Sequence, residues 1–427
     1  MNIPDIKTKR IVIIGGGFGG LKLSKALHKG NFQVVLLDKH NYHAFQPLLY
    51  QVATAGLEPG SIAYPFRKIF NPFKDYYFRM SYVQRIDAEQ NKVFTNIGEL
   101  SYDYLVIATG ATTNFFGNEK MRSLCMPMKT VSEALDIRSL MLQNLENALL
   151  TDNIDDKDSL MGIVLVGGGP TGVELAGALA ELKKDILPKD YPDLDMRVMD
   201  IHLLDSNVRV LKEMSEKSSA KAMSALQEMG VDVRLNMRVT DYDGTKITCQ
   251  DGSELRAAMV IWAAGVKAFF PDGLPAESTT TGRISVDEFN IVKGLTNVFA
   301  IGDCATMISE DNPRGHPMLA QTAMQQGECL AKNLIAVSRN EVMQPFKFKN
   351  LGTMATIGRN KAVSEFSGFK IYGWLAWMAW LFVHVYQLIG FRNKIVVMVS
   401  WAQNYFRHSR DLRLIIRPFK RPQKTNI

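Results

Sequence analysis

The sequence predicts an α/β protein in which one strand–turn–helix–strand unit occurs twice. Three observations predict it. Residues 11–14 are four branched apolar residues, followed at once by Gly15, Gly17 and Gly20 in G-x-G-x-x-G spacing. Residues 21–29 then show helical periodicity, and a second apolar run, 32–37, ends in Asp38, 18 residues after Gly20. The same order returns later with Gly167, Gly169 and Gly172, and a strand over 200–205 that closes on Asp205. A continuous branched run reads as a buried parallel strand. In such a unit the first glycine makes the turn, the second lets backbone approach a pyrophosphate, and the third packs helix against strand. Amides at the helix start attract phosphate, and the closing acid can accept a ribose hydroxyl. The expected architecture is therefore two Rossmann-like dinucleotide-binding domains, a two-dinucleotide fold.

The first glycines of the two motifs lie 152 residues apart, which reads as an internal repeat. Pro170 and the 33-residue gap from Gly172 to Asp205 depart from the simple spacing. Residues 39–66 are polar and broken by Pro and Gly, and read as a loop with a short helix. Small strands are expected over 76–106, and residues 104–110 read as a buried strand that ends at Thr109 and Gly110. A helix is expected over 131–150 and an acidic linker over 151–159. Residues 183–199 read as a charged helix end with a loop at Pro188 and Pro192. The stretch 260–265 mirrors 104–110. Residues 298–303 form a further strand that ends in Gly302 and Asp303, and a helix follows from Gln321 to Val337. The expected domains are 1–115, 116–272 inserted into it, 273–340 completing the first, and a C-terminal membrane-anchoring region, 341–427.

Composition narrows the class. The net charge of +7 sits in the tail: residues 392–427 hold nine Lys or Arg and one acid. The rest is close to neutral, so no nucleic-acid groove is expected. Cys125, Cys249, Cys304 and Cys329 are widely spaced, with no C-x-x-C pair, which argues against a metal site and a local redox dithiol. The polar start, Met1 to Arg10, gives no sign of a signal peptide.

Residues 371–391 carry no charged side chain, a length at the threshold for a membrane span. Trp380, His384 and Gln387 share one face, which makes a semi-polar stripe. The Trp residues are spread along the segment, whereas a span would confine them to belts at its ends. Downstream, Arg407, Arg410, Arg413 and Arg417 follow the aromatic stretch 401–406. An interfacial helix on anionic lipid is the expectation, with Trp374, Trp377, Trp401 and Phe406 on its buried side. A single span and a soluble dimer interface are the alternatives.

These residues carry a resemblance. The chain resembles the type II NADH dehydrogenases, single-subunit NADH:quinone oxidoreductases that pump no protons. The resemblance covers nearly all 427 residues. It rests on both glycine motifs, on Phe45-Gln46-Pro47-Leu48-Leu49-Tyr50-Gln51, on Gly172-Val173-Glu174-Leu175-Ala176-Gly177, on Trp262-Ala263-Ala264-Gly265, on Gly302-Asp303, and on Ala320-Gln321-Thr322-Ala323. Where disulfide reductases of this architecture carry a Cys pair, this chain has His43, Phe45 and Pro47. The resemblance implies non-covalent FAD on Gly15, Gly17, Gly20, Asp38, Thr109, Gly110, Gly302 and Asp303. It implies NADH on Gly167, Gly169, Gly172 and Asp205, with Glu174 near the nicotinamide–flavin contact. A membrane quinone, menaquinone or ubiquinone, is expected among Gln46, Pro47, Gln321, Thr322 and Lys361. The catalytic residues implied are Glu174, Gln321 and Lys361. The expected setting is the cytoplasmic face of the cell membrane, as a peripheral homodimer. The rival reading is a soluble NADH-dependent FAD reductase that serves a small iron–sulfur or haem carrier protein.

Overall fold

The structure is a computed structural model, and it describes residues 1–310, 312–407 and 413–421. The chain divides into two compact units. The first comprises residues 1–44, 63–112 and 266–350, and the second residues 45–62, 113–265 and 351–427.

The first unit is built on a five-stranded parallel sheet. Its order is Val298–Ala300, Tyr104–Ile107, Arg10–Ile14, Gln33–Asp38, Tyr76–Met80. Arg10–Ile14 is buried along its whole length, as a strand flanked by partners on both sides requires. Register pairs Ile13 with Leu36 on one side and Val106 on the other. The motif helix Phe18–Ala26 packs on the long helix Ala320–Ser338. Gly327 makes that packing close, since a Cβ there would stand 2.5 Å from the Gly19 carbonyl oxygen. An antiparallel meander, Val83–Asp87, Lys92–Thr95 and Gly98–Ser101, joins the same apolar core.

The second unit repeats the plan. Its parallel sheet runs Met126–Pro127, Met259–Trp262, Ile163–Val166, Ile201–Leu204, Asp232–Arg234. It has its own meander, Val239–Tyr242, Lys246–Cys249 and Glu254–Arg256. The internal repeat read from the sequence is thus present in strand order as well as in the glycines. Pro170 does not disturb it. It occupies the start of the helix Pro170–Asp185, where the missing N–H has no intrahelical partner to lose. Helix Val131–Ala148 starts from a capping box made by Thr130 and Glu133.

Three expectations change. Residues 154–161 are a helix and not a linker: the Asn153 side chain accepts from the Asp155 and Asp156 amides, and acids in a first turn suit the helix dipole. The region after 341 is not wholly helical. Thr353–Gly358, Lys361–Phe366 and Phe369–Tyr372 form an antiparallel sheet ahead of helices Gly373–Gln387 and Phe391–Arg407. Among the described residues no helix is long and apolar enough to cross a membrane. Leu388 to Gly390 break the apolar run that reads as one segment in the sequence.

Candidate active site

Each unit holds a glycine cradle at the carboxyl ends of its parallel strands, where open α/β sheets bind ligands. In the first unit Gly15 has φ +101°, and a Cβ there would meet the Ala108 carbonyl oxygen at 2.4 Å. At Gly20 a Cβ would lie 1.9 Å from the Gly15 carbonyl oxygen. Gly17 is different: nothing lies within 4 Å of a Cβ built there, so its backbone faces open space beside the helix start. The neighbouring strands deliver Thr109 and Gly110 (φ +71°) on one and Gly302 (φ +76°) on the next. The Gly302 amide donates to Gln326 Oε1 at 2.8 Å, and Asp303 stands in the short helical turn that follows. An open backbone cradle beside a helix N-terminus is what a pyrophosphate needs, so these residues fit the diphosphate of a flavin dinucleotide.

The second unit has the same construction. Gly167 (φ +116°) backs onto Ala263, Gly172 onto the Gly167 carbonyl, and Gly169 faces open space. The closing acids also act alike, in a way that spacing did not reveal. Asp38 Oδ2 accepts the Gly16 amide at 2.6 Å and Oδ1 the His40 amide at 2.7 Å. Asp205 accepts the Gly168 amide through Oδ2, and through Oδ1 the Asn207 amide and side chain, both at 2.7 Å. Each acid therefore clamps its own glycine loop first. A carboxylate offers about four acceptor directions, which leaves room for a ribose hydroxyl at Asp38 and less at Asp205. Burial pushes the Asp38 carboxyl up, against the pull of those two amides.

Glu174 lies in the second turn of helix Pro170–Asp185 and is buried. Burial pushes its carboxyl up to about 8, opposed by the Thr356 amide, which donates at 3.4 Å, and by the Trp380 indole N–H. That N–H approaches without reaching hydrogen-bond geometry. The carboxyl is therefore largely protonated at neutral pH. It sits in the wall of a cavity of about 100 Å³. Behind Trp380, His384 stacks on the indole with ring centroids 3.9 Å apart, and burial pushes its imidazole down to about 4.

Sequence reasoning missed the floor of this cavity. Gly177 brings the helix against strand Thr353–Gly358 so closely that a Cβ would stand 1.5 Å from the Ile357 carbonyl oxygen. A glycine inside a helical pattern was the available signal. Sequence reasoning also turned the tail outward too freely. Trp401 Nε1 donates to Gln51 Oε1 at 2.7 Å and Trp377 stacks on Tyr405, so both face the cavity. Exposed apolar residues of the two helices include Trp374, Leu375, Phe382, Tyr386, Phe391 and Phe406. Arg413 pairs with Asp190, and Arg417, still largely exposed, pairs with Asp136 at 2.9 Å. Arg407 ends its helix exposed, and Arg410 lies outside the described residues.

The remaining expected residues belong to both units. Gln321 and Thr322 begin helix Ala320–Ser338 in the first unit, and the Thr322 hydroxyl is buried without a hydrogen-bond partner. Gln46 and Pro47 form a helical turn in the second unit. Lys361 does not line the cavity; its ammonium pairs with Glu228 at 2.7 Å. The four cysteines are free, and no group of side chains among the described residues could hold a metal ion.

Two doubly wound units with open glycine cradles define a two-dinucleotide oxidoreductase. Residues 9–327 match the pyridine nucleotide-disulphide oxidoreductase family. The chain belongs more narrowly to the type II NADH:quinone oxidoreductases: residues 350–411 match the NDH2 C-terminal domain. The type II NADH:quinone oxidoreductase NdhA of Mycobacterium tuberculosis is 35% identical over 419 residues, covering 94% of this chain and 88% of the relative. Among solved structures, NDH2 from Plasmodium falciparum in complex with NADH superposes with a TM-score of 0.87 at 19% identity, over 96% of this chain and all of that one. A ferredoxin reductase from Rhodopseudomonas palustris reaches 0.65 at 18% identity, over 83% and 81%. At these identities both structures speak to the fold alone.

Proposed function

We propose that this chain oxidises NADH and reduces a membrane quinone, with FAD held non-covalently in the first unit and NADH in the second. The observation that carries the reading is family membership that extends through the C-terminal domain, residues 350–411. That domain is what a soluble reductase of a carrier protein does not need. FAD, when bound, supplies the redox centre that accepts a hydride and passes on two electrons.

The residues of the chain do the rest. Gly15, Gly17 and Gly20 open the backbone to the diphosphate of FAD. Gly302 and Asp303 flank it, and Asp38 is left with acceptor capacity for a ribose hydroxyl. Gly167, Gly169, Gly172 and Asp205 do the same for NADH, and a carboxylate at the strand end repels a 2′-phosphate. Glu174 is read as the residue beside the nicotinamide–flavin contact, where a neutral carboxyl can hold or release a proton. Gln321 offers a donor and an acceptor to a quinone carbonyl, and the unpartnered Thr322 hydroxyl supports the same placement. Lys361 serves there only if it leaves Glu228. The exposed apolar side chains of the two C-terminal helices support peripheral attachment to the cytoplasmic membrane face, and a homodimer would present two such faces.

Purified protein is expected to release FAD on acid quenching and to oxidise NADH with a short-chain quinone. Faster reduction of a ferredoxin-type acceptor than of quinone would overturn the reading.

A further inference from the structure

The overall reaction has a proton to find. A hydride carries two electrons and one proton, and a quinone becomes a quinol by taking two electrons and two protons. NADH, H⁺ and quinone therefore give NAD⁺ and quinol, and one proton per turnover comes from solvent. A buried carboxyl such as Glu174 can exchange that proton only along a connected path.

One face of helix Pro170–Asp185 supplies it. Glu174, Ala178, Glu181 and Asp185 follow at i, i+4, i+7 and i+11, a single stripe on an α-helix. All four line the one cavity described above. Exposure grows along the stripe: Glu174 and Ala178 are buried, and Glu181 and Asp185 are half-buried. At 1.5 Å per residue Glu181 stands about 10 Å along the axis from Glu174, and Asp185 about 6 Å further. Glu181 and Asp185 are surface neighbours at i, i+4, and the longer step from Glu181 to Glu174 is one for bridging water. A cavity of about 100 Å³ holds several waters, each needing two to four polar partners. Thr54, Gln51, Asn404 and Thr356 provide those partners from the other walls.

We propose that the acidic stripe Glu181–Asp185 on this helix is the proton entry to Glu174, through water held in the cavity. The proposal rests on the functional reading above for its destination. The groups that face this path from the packed elements are few. Arg359 stands in the hairpin wall, its amide donating to Glu181. Tyr50 and Tyr405 face the cavity from the 49–53 helix and the last helix. His384 lies behind Trp380. The stripe thus holds both carboxylates that lead outward from Glu174. The Arg359 amide holds the Glu181 carboxylate in place.

The test compares holoenzyme of the native sequence with Glu181→Gln, Asp185→Asn and the double variant. Glu181→Gln keeps an oxygen for the Arg359 amide, and Asp185→Asn keeps the fold if the other does not. The first readout is the infrared carbonyl band of protonated Glu174, identified by its loss in Glu174→Gln, and its rate of exchange in D₂O. The expected result is slower exchange in the double variant by about tenfold, partly restored by added formate. In quinone turnover the same variants should lose kcat with little change in KM, most at alkaline pH where protons are scarce, and show a larger solvent isotope effect. Native exchange rates and a native pH profile would overturn the path. So would a rise in quinone KM at constant kcat, which would make the stripe a binding wall. Absence of quinone reduction in the unmodified protein would defeat the functional reading alone, because the exchange measurement does not depend on it.

Discussion

The two glycine units share a sheet order, a meander and a loop clamped by its own acid, yet they differ two residues past the last motif glycine. In the first unit that position is Lys22, exposed and paired with Glu328 at 3.1 Å. In the second it is Glu174, buried against Trp380 and Thr356. What backs each motif helix explains the difference. A long amphipathic helix covers the first and leaves the edge position in water. A β-hairpin and an aromatic helix cover the second, and enclose a carboxyl. The two units thus share the glycine loop and its clamping acid, and differ in what covers the motif helix.

The largest expected effect sets the two helices apart by pH. The Glu174 carboxyl, raised from 4.5 to about 8, binds a proton in the folded state where the unfolded chain has released one. Its contribution to stability is complete below pH 4.5 and is lost as pH rises toward 8, a matter of a few kcal/mol. Thermal scans should show a midpoint that falls across this window, and Glu174→Gln should flatten the fall. Lys22→Gln should leave the slope as it was. An equal slope in Glu174→Gln would mean that the carboxyl is solvated.

Next comes packing. Gly177→Ala drives a Cβ into the Ile357 carbonyl and should cost about 3 kcal/mol, with FAD still bound in the first unit. Gly20→Ala, at 1.9 Å from the Gly15 carbonyl oxygen, should reverse the pattern and release FAD. Flavin content after gel filtration distinguishes them. Loss of flavin from both would show that the units do not fail separately.

The clamping acids sharpen the comparison further. Asp38→Asn and Asp205→Asn each remove a charge-assisted bond to a loop amide, worth about 2 kcal/mol. Because Asp205 already serves Gly168 and Asn207, its loss should raise the KM for NADH by loosening the loop as much as by losing a ribose contact. The preference for NADH over NADPH should narrow with it. An unchanged preference would place discrimination elsewhere. The smallest effect belongs to the open glycines. Gly17→Ala and Gly169→Ala meet no neighbour, so stability should hold while affinity for FAD and NADH respectively falls about tenfold, or 1.4 kcal/mol.

Much of this was legible in the sequence because it rests on local backbone rules. The positive φ at Gly15 and Gly167, the helix starts, and the buried strands follow from glycine spacing and apolar runs. The helix at 154–161 was hidden because its acids resemble a linker and only Asn153 marks the cap. The inward turn of Trp377 and Trp401 was hidden for another reason. Aromatic residues suit both a membrane surface and a cavity wall, and their partners, Gln51 and Tyr405, lie on separate helices. The pairing of Arg413 and Arg417 with Asp190 and Asp136 required the folded tail. No spacing rule connects residues more than 200 positions apart.

The excursion at residues 45–62 carries a consequence for how the chain is made. Its short helices are held by the last helix: Trp401 on Gln51, Asn404 on Gly56, and Asn393 on Gly60, sequence separations of 333 to 350 residues. During synthesis this early segment emerges first and waits for the final part of the chain. Contacts so far apart in sequence close late and slowly. A ribosome stalled before residue 393 therefore carries both glycine units with the 45–62 stretch still uncovered, which makes synthesis of the helix Phe391–Arg407 the step that ends its exposure.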